Sequence, residues 1–293
     1  EKGNYFLESD AEVWAYVTAR LPATYAALTA ICHPFKELLT LNSVTDLGSG
    51  PGTALLALHQ VWPSITKASV IEHHRRLLDI NRILNPLTQT TYYLHSLLEI
   101  DSYPQSDAVI LSYVLNELTD PLPIVEQAWQ ACLKCLIIVE PGTPQGFKNI
   151  LQARKALIQA GAFIAAPCPH HINCPLSSPD WCHFSIRLER TAFHRHTKEA
   201  ALMYEDEKYC YLIATRDCVE RPTGRIIKNP LHRTGHTHLD LCTIDGLKRL
   251  SLSKRTHLLY KKARKSPWGD PWDWKDPASN KNLDSHVDHK DSS

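Results

Sequence analysis

Methionine is almost missing from this sequence: among 293 residues the only one is Met203, so Glu1 is not an initiator as written and the chain is expected to be a trimmed or processed form. Also missing is any run approaching the roughly 20 apolar residues that a membrane-spanning helix needs. The opening Glu1-Lys-Gly-Asn-Tyr-Phe6 has neither a signal-peptide core nor an Arg/Ser-rich transit pattern. These absences exclude a membrane partner from the expectation and make the bacterial cytoplasm the default location. The mitochondrial matrix is the alternative if a transit segment was removed. Net charge is nearly absent too, at +1, but it is unevenly spread: residues 184–266 hold 18 Lys and Arg against 9 Asp and Glu, and the remainder 14 against 22. Asymmetry of this kind is a modest signal for a polyanionic partner.

What is present is an ordinary globular composition, 43% hydrophobic and 22% charged, enough for one large or two modest domains with a real core. A monomer is expected. Nine cysteines, an odd number with no secretion signal, argue for reduced thiols rather than a disulfide framework. Three of them stand in Cys168-Pro-His-His-Ile-Asn-Cys174-Pro-Leu-Ser-Ser-Pro-Asp-Trp-Cys182, a segment too proline-rich for helix or central strand. Prolines fix the backbone, so thiols there can turn toward one metal at small entropic cost. The bland alternative is three buried thiols acting as small hydrophobes.

A second stretch points to a nucleoside-type pocket. Leu41-Asn-Ser-Val-Thr-Asp46-Leu-Gly48-Ser-Gly50-Pro-Gly52 runs from a short strand into a glycine turn, and a helix starts at Thr53. Its D-x-G-x-G-x-G spacing differs from the dinucleotide G-x-G-x-x-G and resembles motif I of the S-adenosylmethionine-dependent methyltransferases. The matching second mark is an acid closing the next strand about 20 residues on, to bind ribose hydroxyls. Glu72 closes Ala68-Ser-Val-Ile-Glu. Asp46, Gly48, Gly50, Gly52 and Glu72 are therefore the candidate cofactor residues.

Around them the pattern alternates. A helix is expected over 10–31 with Asp10 as N-cap and Pro22 as an interruption, then a helix near 74–85, a strand at 92–97, the apolar run from Ser106, a helix at 123–133, a strand from Cys135 to Gly142 and a helix at 147–160. Strands alternating with helices imply a Rossmann-like, doubly wound, mostly parallel α/β sheet, whose ligands sit at the carboxyl ends of the strands. Strand-like segments follow at Phe184, Tyr209 and His236. The expected organisation is an N-terminal helical segment over 1–40, the core over 41–162, a Cys-cluster and basic β region over 163–266 and a flexible tail from 267, in which Trp268, Trp272 and Trp274 can pack back. The Asn/Asp-Pro-Pro-aromatic motif of many nucleic-acid amino-methylases is absent; Ser112-Tyr-Val-Leu-Asn116-Glu117 stands in its place. Asn116 and Glu117 are the catalytic candidates.

With these residues assembled, the chain resembles the Rsm-type methyltransferase-like proteins, bacterial and mitochondrial factors of the assembling small ribosomal subunit. The marks are the glycine loop, Ile138-Val-Glu-Pro-Gly142, the cysteine block ending Asp180-Trp-Cys182-His-Phe-Ser, Tyr204-Glu-Asp-Glu-Lys208, Leu239-Asp-Leu-Cys242 and Ser253-Lys-Arg255. The resemblance implies a [4Fe-4S] cluster on Cys168, Cys174, Cys182 and Cys242, with Cys210 left as core. Zinc is the rival metal, and His170, His171 or His183 is a substitute ligand. It also implies one of two functions: a small-subunit rRNA methyltransferase, or a non-catalytic assembly factor using the fold as an RNA-binding scaffold. Basic residues including Arg187, Arg190, Arg195, Lys248, Arg249, Lys254 and Arg255 would meet phosphates, and Tyr209, Tyr211 and Tyr260 would stack on bases.

Overall fold

In the computed structural model, residues 9–189 and 204–273 are described; Arg190, Arg195 and Trp274 lie outside them. The first helix, α1 (Asp10–Cys32), is capped by Ser9 rather than Asp10: the Ser9 hydroxyl accepts from Glu12 N, and the Glu12 carboxylate returns to Ser9 N. This reciprocal box satisfies two amide donors that a helix start leaves without partners. Pro22 does not break the helix, which runs through it. Val13 and Val17 are buried against Leu77 and Ile80, whereas Trp14 on the other side is 49% exposed.

The expected alternation follows: β1 (Ser43–Leu47), α2 (Thr53–Val61), β2 (Lys67–Ile71), α3 (Arg75–Leu84), β3 (Gln89–Tyr93), β4 (Ser106–Ser112), α4 (Leu122–Ala131), β5 (Cys132–Pro141), α5 (Pro144–Gln159) and β6 (Phe163–Ala166). The strand expected at 92–97 begins three residues earlier, at Gln89. β3, β2, β1, β4 and β5 lie side by side and parallel. β4 and β5 are apolar on both faces, as strands roofed by helices must be. Beyond β5 the direction reverses. β7 (Phe184–Glu189) and β8 (Tyr204–Thr215) follow in the chain, and β8 inserts antiparallel beside β5. The outer edge of β8 is shared, its carboxyl half pairing with β6 and its amino half with β7. This doubly wound α/β sheet is the architecture expected from the alternation.

Contacts divide the chain into two compact units, Glu1–Pro167 with His171–Glu220 and Cys168–His170 with Arg221–Ser293. The second unit is a five-stranded antiparallel sheet of β9 (Gly224–Ile226), β10 (Leu231–Arg233), β11 (His236–Thr243), β12 (Gly246–Ser253) and β13 (Pro271–Trp272), with the helix His257–Lys265. Ile226, Leu239, Leu241, Leu252, Ala263 and Trp272 form its core. Trp272 thus packs back on the unit, as expected of the tail's tryptophans. No described helix is long and apolar enough to cross a membrane.

Candidate functional site

The glycine loop leaves β1 at Leu47 and enters α2 through Gly52, whose φ of +87° only glycine adopts at little cost. A Cβ on Gly52 would stand 2.9 Å from the Asn81 side chain, while one on Gly50, at φ +54°, would meet nothing within 4 Å. Gly52 is thus glycine because the loop is crowded, whereas at Gly50 the positive φ favours glycine and the space beside the backbone is open. Glu72, just past β2 and buried, fastens this loop. Its Oε2 accepts from Gly50 N at 2.7 Å, its Oε1 accepts from His74 N at 2.7 Å, and His73 Nδ1 lies 3.2 Å away. A carboxylate has lone pairs beyond these, so ribose hydroxyls can still be bound.

The two acids of the pair are shifted in opposite directions. Burial alone would push the Glu72 carboxyl up, but hydrogen bonds from His73 and from the His74 and Gly50 amides outweigh it and leave Glu72 below the ordinary value. Complete burial pushes Asp46 up to about 7, against the Ser49 hydrogen bond and with the help of the Glu72 charge. Ser49 donates to Asp46 Oδ2 and accepts from Asn81 Nδ2 at 2.8 Å, and Asn81 also reaches Gly50 O at 3.3 Å. Asp46 Oδ1 and Ser112 Oγ, at the ends of β1 and β4, are buried and meet no hydrogen-bonding group among the described residues. Ser49 and Asn81 escape sequence reading because only the packing of α3 on the loop brings them together.

The catalytic candidates separate. Asn116 sits in the short 3-10 turn Leu115–Glu117, where the Leu115 and Asn116 amides donate to the buried Glu140 carboxylate at 2.8 and 3.1 Å. Asn116 Oδ1 accepts from Asn149 Nδ2 at 2.8 Å, so its side chain helps brace the turn. Burial pushes Glu140 up to about 7 despite those amides and Asn149. Glu117 keeps an exposed side chain; partial desolvation first, then the charge of Glu72, raises its carboxyl, and His73 opposes the shift. Of the two candidates, Glu117 is the one whose carboxyl feels the Glu72 charge.

Tyr113, which sequence reading passed over, follows β4 at φ +62°, the only non-glycine described residue in that region. Its hydroxyl donates to Glu207 Oε1 at 3.1 Å, and Arg20 of α1 lies 3.5 Å from Glu207 and 5.4 Å from the Tyr113 ring centre. Strain held in place by such partners clusters at functional sites. Desolvation and the Glu207 charge hold the phenol protonated far above its usual range.

Of the four expected metal thiols, Cys168 and Cys242 belong to the second unit and Cys174 and Cys182 to the first. Cys242 is buried, with Sγ 3.3 Å from His170 Nε2. Among the described residues no three His, Cys, Asp or Glu side chains are grouped to hold a metal, so the four-thiolate set expected from sequence is not observed as a formed site. Cys210 is core, as expected, with its thiol on Cys182 O at 3.1 Å. The Asp-Trp-Cys-His block is anchored by Trp181, whose Nε1 donates to Gly142 O at 3.0 Å and whose ring stacks on His183 at 5.0 Å. The expected base-stacking tyrosines are a correction: Tyr209, Tyr211 and Tyr260 are all buried, the first two packed with Phe184. β8 has strands on both sides and α1 and α5 packed against it, so its aromatics are buried.

Comparison with known proteins decides the family. The family described as mitochondrial small ribosomal subunit Rsm22 matches residues 10–273. The chain belongs to the Rsm22 family. Its similar relatives include the human mitochondrial ribosome assembly protein METTL17, 26% identical over 87% of this chain and 61% of the relative. Another is the Saccharomyces cerevisiae mitochondrial ribosome assembly protein RSM22, 23% identical over 59% of this chain and 45% of the relative. This Rsm22-family chain therefore spans less than two thirds of the length of these relatives. Among solved structures, the plantazolicin methyltransferase BpumL in complex with a monoazolic desmethylPZN analog and SAH is similar at 11% identity and TM-score 0.47, over 71% of this chain and 90% of the other.

Proposed function

We propose that this Rsm22-family chain is an S-adenosylmethionine-binding, methyltransferase-like factor of mitochondrial small-subunit assembly, with small-subunit rRNA as its partner. The observation that carries the cofactor half is the pinned glycine loop: Glu72 on Gly50 N, open space at Gly50, and a buried Asp46 oxygen with no hydrogen-bond partner among the described residues. In this reading Glu72 takes the ribose hydroxyls, the loop backbone takes the methionine moiety, and Asp46 takes its ammonium. Bound there, the cofactor would supply an electrophilic methyl group; the chain's own part is to orient it and hold it beneath the strand ends. The assembly half is supported by family membership and by the names of the relatives, both mitochondrial ribosome assembly proteins.

Catalysis is the second reading. Glu117 favours it, as a raised carboxyl beside Glu72 suited to proton handling. Asn116, tied to Asn149, favours the scaffold. We further propose that Cys168, Cys174, Cys182 and Cys242 take up a [4Fe-4S] cluster as a brace, with zinc as the rival.

Titration calorimetry with S-adenosylmethionine tests the cofactor. Saturable heat is expected from the intact chain and none from Gly50→Val, which places a branched side chain on the open backbone at positive φ. Backbone strain should lower the variant's stability by about 1–3 kcal/mol. No heat from the intact chain would remove the cofactor. Methylation mapping of small-subunit rRNA after depletion separates the enzyme from the scaffold: a lost modification supports the enzyme, and defective assembly with unchanged modification supports the scaffold.

A further inference from the structure

We infer that the open face of the second unit's sheet binds base-paired RNA, read through phosphates and sugar hydroxyls rather than bases. This rests on the RNA reading above and narrows it to one form of RNA and one surface. Strand alternation creates the face. Leu239 and Leu241 of β11 and Leu252 of β12 turn into the core, with Ala263 of the helix His257–Lys265 among their partners. Their neighbours must turn the other way. His236, His238 and Asp240 therefore share the outer face with their cross-strand partners Ser253, Ser251 and Arg249, and Arg233 of β10 stands opposite His236.

The charge on this face is positive and organised. Residues 221–273 carry 12 Lys and Arg against 4 Asp and Glu. The acid on the face, Asp240, is clasped by Arg249 Nε and Nη2 at 2.7 and 2.9 Å, which fixes that guanidinium across two strands and leaves its other N–H donors for a phosphate. Lys254 N donates to Gly235 O at 3.0 Å, tying the end of β12, and with it Lys254 and Arg255, to the β10–β11 turn beside Arg233 and His236. Arg233, His236, Arg249, Lys254 and Arg255 are all exposed. From the Arg233–His236 row to the Asp240–Arg249 row is about 13 Å along β11, and three strands span about 10 Å. That is room for several phosphates.

What the face lacks selects the partner. Proteins that hold single strands stack bases on exposed aromatic rings. In this unit Tyr260 and Trp272 are buried, and no described Phe, Tyr or Trp is exposed. His238 Nδ1 lies 2.7 Å from Ser251 Oγ, so that imidazole is engaged within the sheet. Cations and hydroxyls without stacking platforms suit an A-form helix, which is recognised by shape, phosphates and 2′-hydroxyls.

The test compares the full chain's affinity for a fully paired RNA hairpin and for an unpaired strand of the same length, across salt concentrations. The hairpin should bind at least tenfold more tightly. The triple variant Arg233→Ala, Lys254→Ala, Arg255→Ala should weaken hairpin binding at least tenfold, with an unchanged thermal midpoint, and lower the log–log salt slope by about 0.9 per cation removed, taking the duplex-DNA value as guide. Tighter binding to the unpaired strand, hairpin binding indifferent to the triple variant, or preference for a polyglutamate competitor overturns the assignment; in the first two cases RNA binding itself stands. Failure to bind either RNA overturns both.

Discussion

Asp46 and Glu72 end neighbouring parallel strands, yet burial pushes one up to about 7 while the other stays below its ordinary value, because Glu72 alone is met by His73 and by the His74 and Gly50 amides. A pH dependence follows. Folded Asp46 keeps its proton up to about 7, whereas an unfolded aspartate loses it near about 3.9. The stability this group contributes is therefore fully present below the unfolded value and is lost as pH rises through the folded one. Glu140, also raised to about 7, falls in the same window. Urea unfolding of the ligand-free protein between pH 4 and pH 8 should show stability falling with pH, by up to roughly 1.4 kcal/mol per unit for each group. Asp46→Asn should remove its own share of that slope, and a slope unchanged by the substitution would place the proton elsewhere. The candidate pair was legible in sequence because an acid at a strand end and a glycine turn are both local signals. Ser49 and Asn81 were not, since their meeting depends on where α3 packs.

Among the elements, α1 is joined to the strand ends by Arg20, Glu207 and Tyr113, which come from three distant parts of the chain. Removing the phenol hydroxyl alone, with Tyr113→Phe, leaves the backbone geometry and the Arg20–Glu207 ion pair in place. A hydrogen bond to a carboxylate is worth about 1.5–3 kcal/mol, and chemical unfolding of the variant should show a loss of that order. A loss below about 0.5 kcal/mol would mean that water replaces the contact. Sequence reading missed this residue because nothing local marks a tyrosine at positive φ. It misjudged Tyr209 and Tyr211 for a related reason: aromatic alternation looks the same in an edge strand with a wet face and in β8, which lies between β5 on one side and β6 and β7 on the other. The long helix and the parallel strands were readable, since periodicity and glycine punctuation are properties of a few consecutive residues.

At the scale of the whole molecule, the proposed thiolate set draws on residues spread from 168 to 242. Protein purified without oxygen should be brown, with a broad absorption near about 400 nm, and chelation or oxidation should lower its unfolding temperature. Colourless protein with about one zinc per chain would assign the site to zinc. The cysteine spacing made these thiols visible in sequence, but spacing carries no distances. One further consequence lies in the order in which the sheet is completed. β6 and β7 reach it only through β8, and β5 pairs with neither. During synthesis, then, the long apolar β5 has a naked hydrogen-bonding edge until residues 204–215 have left the ribosome that is making them. For that interval β5 offers an unpaired edge on which a strand of another chain could form a ladder.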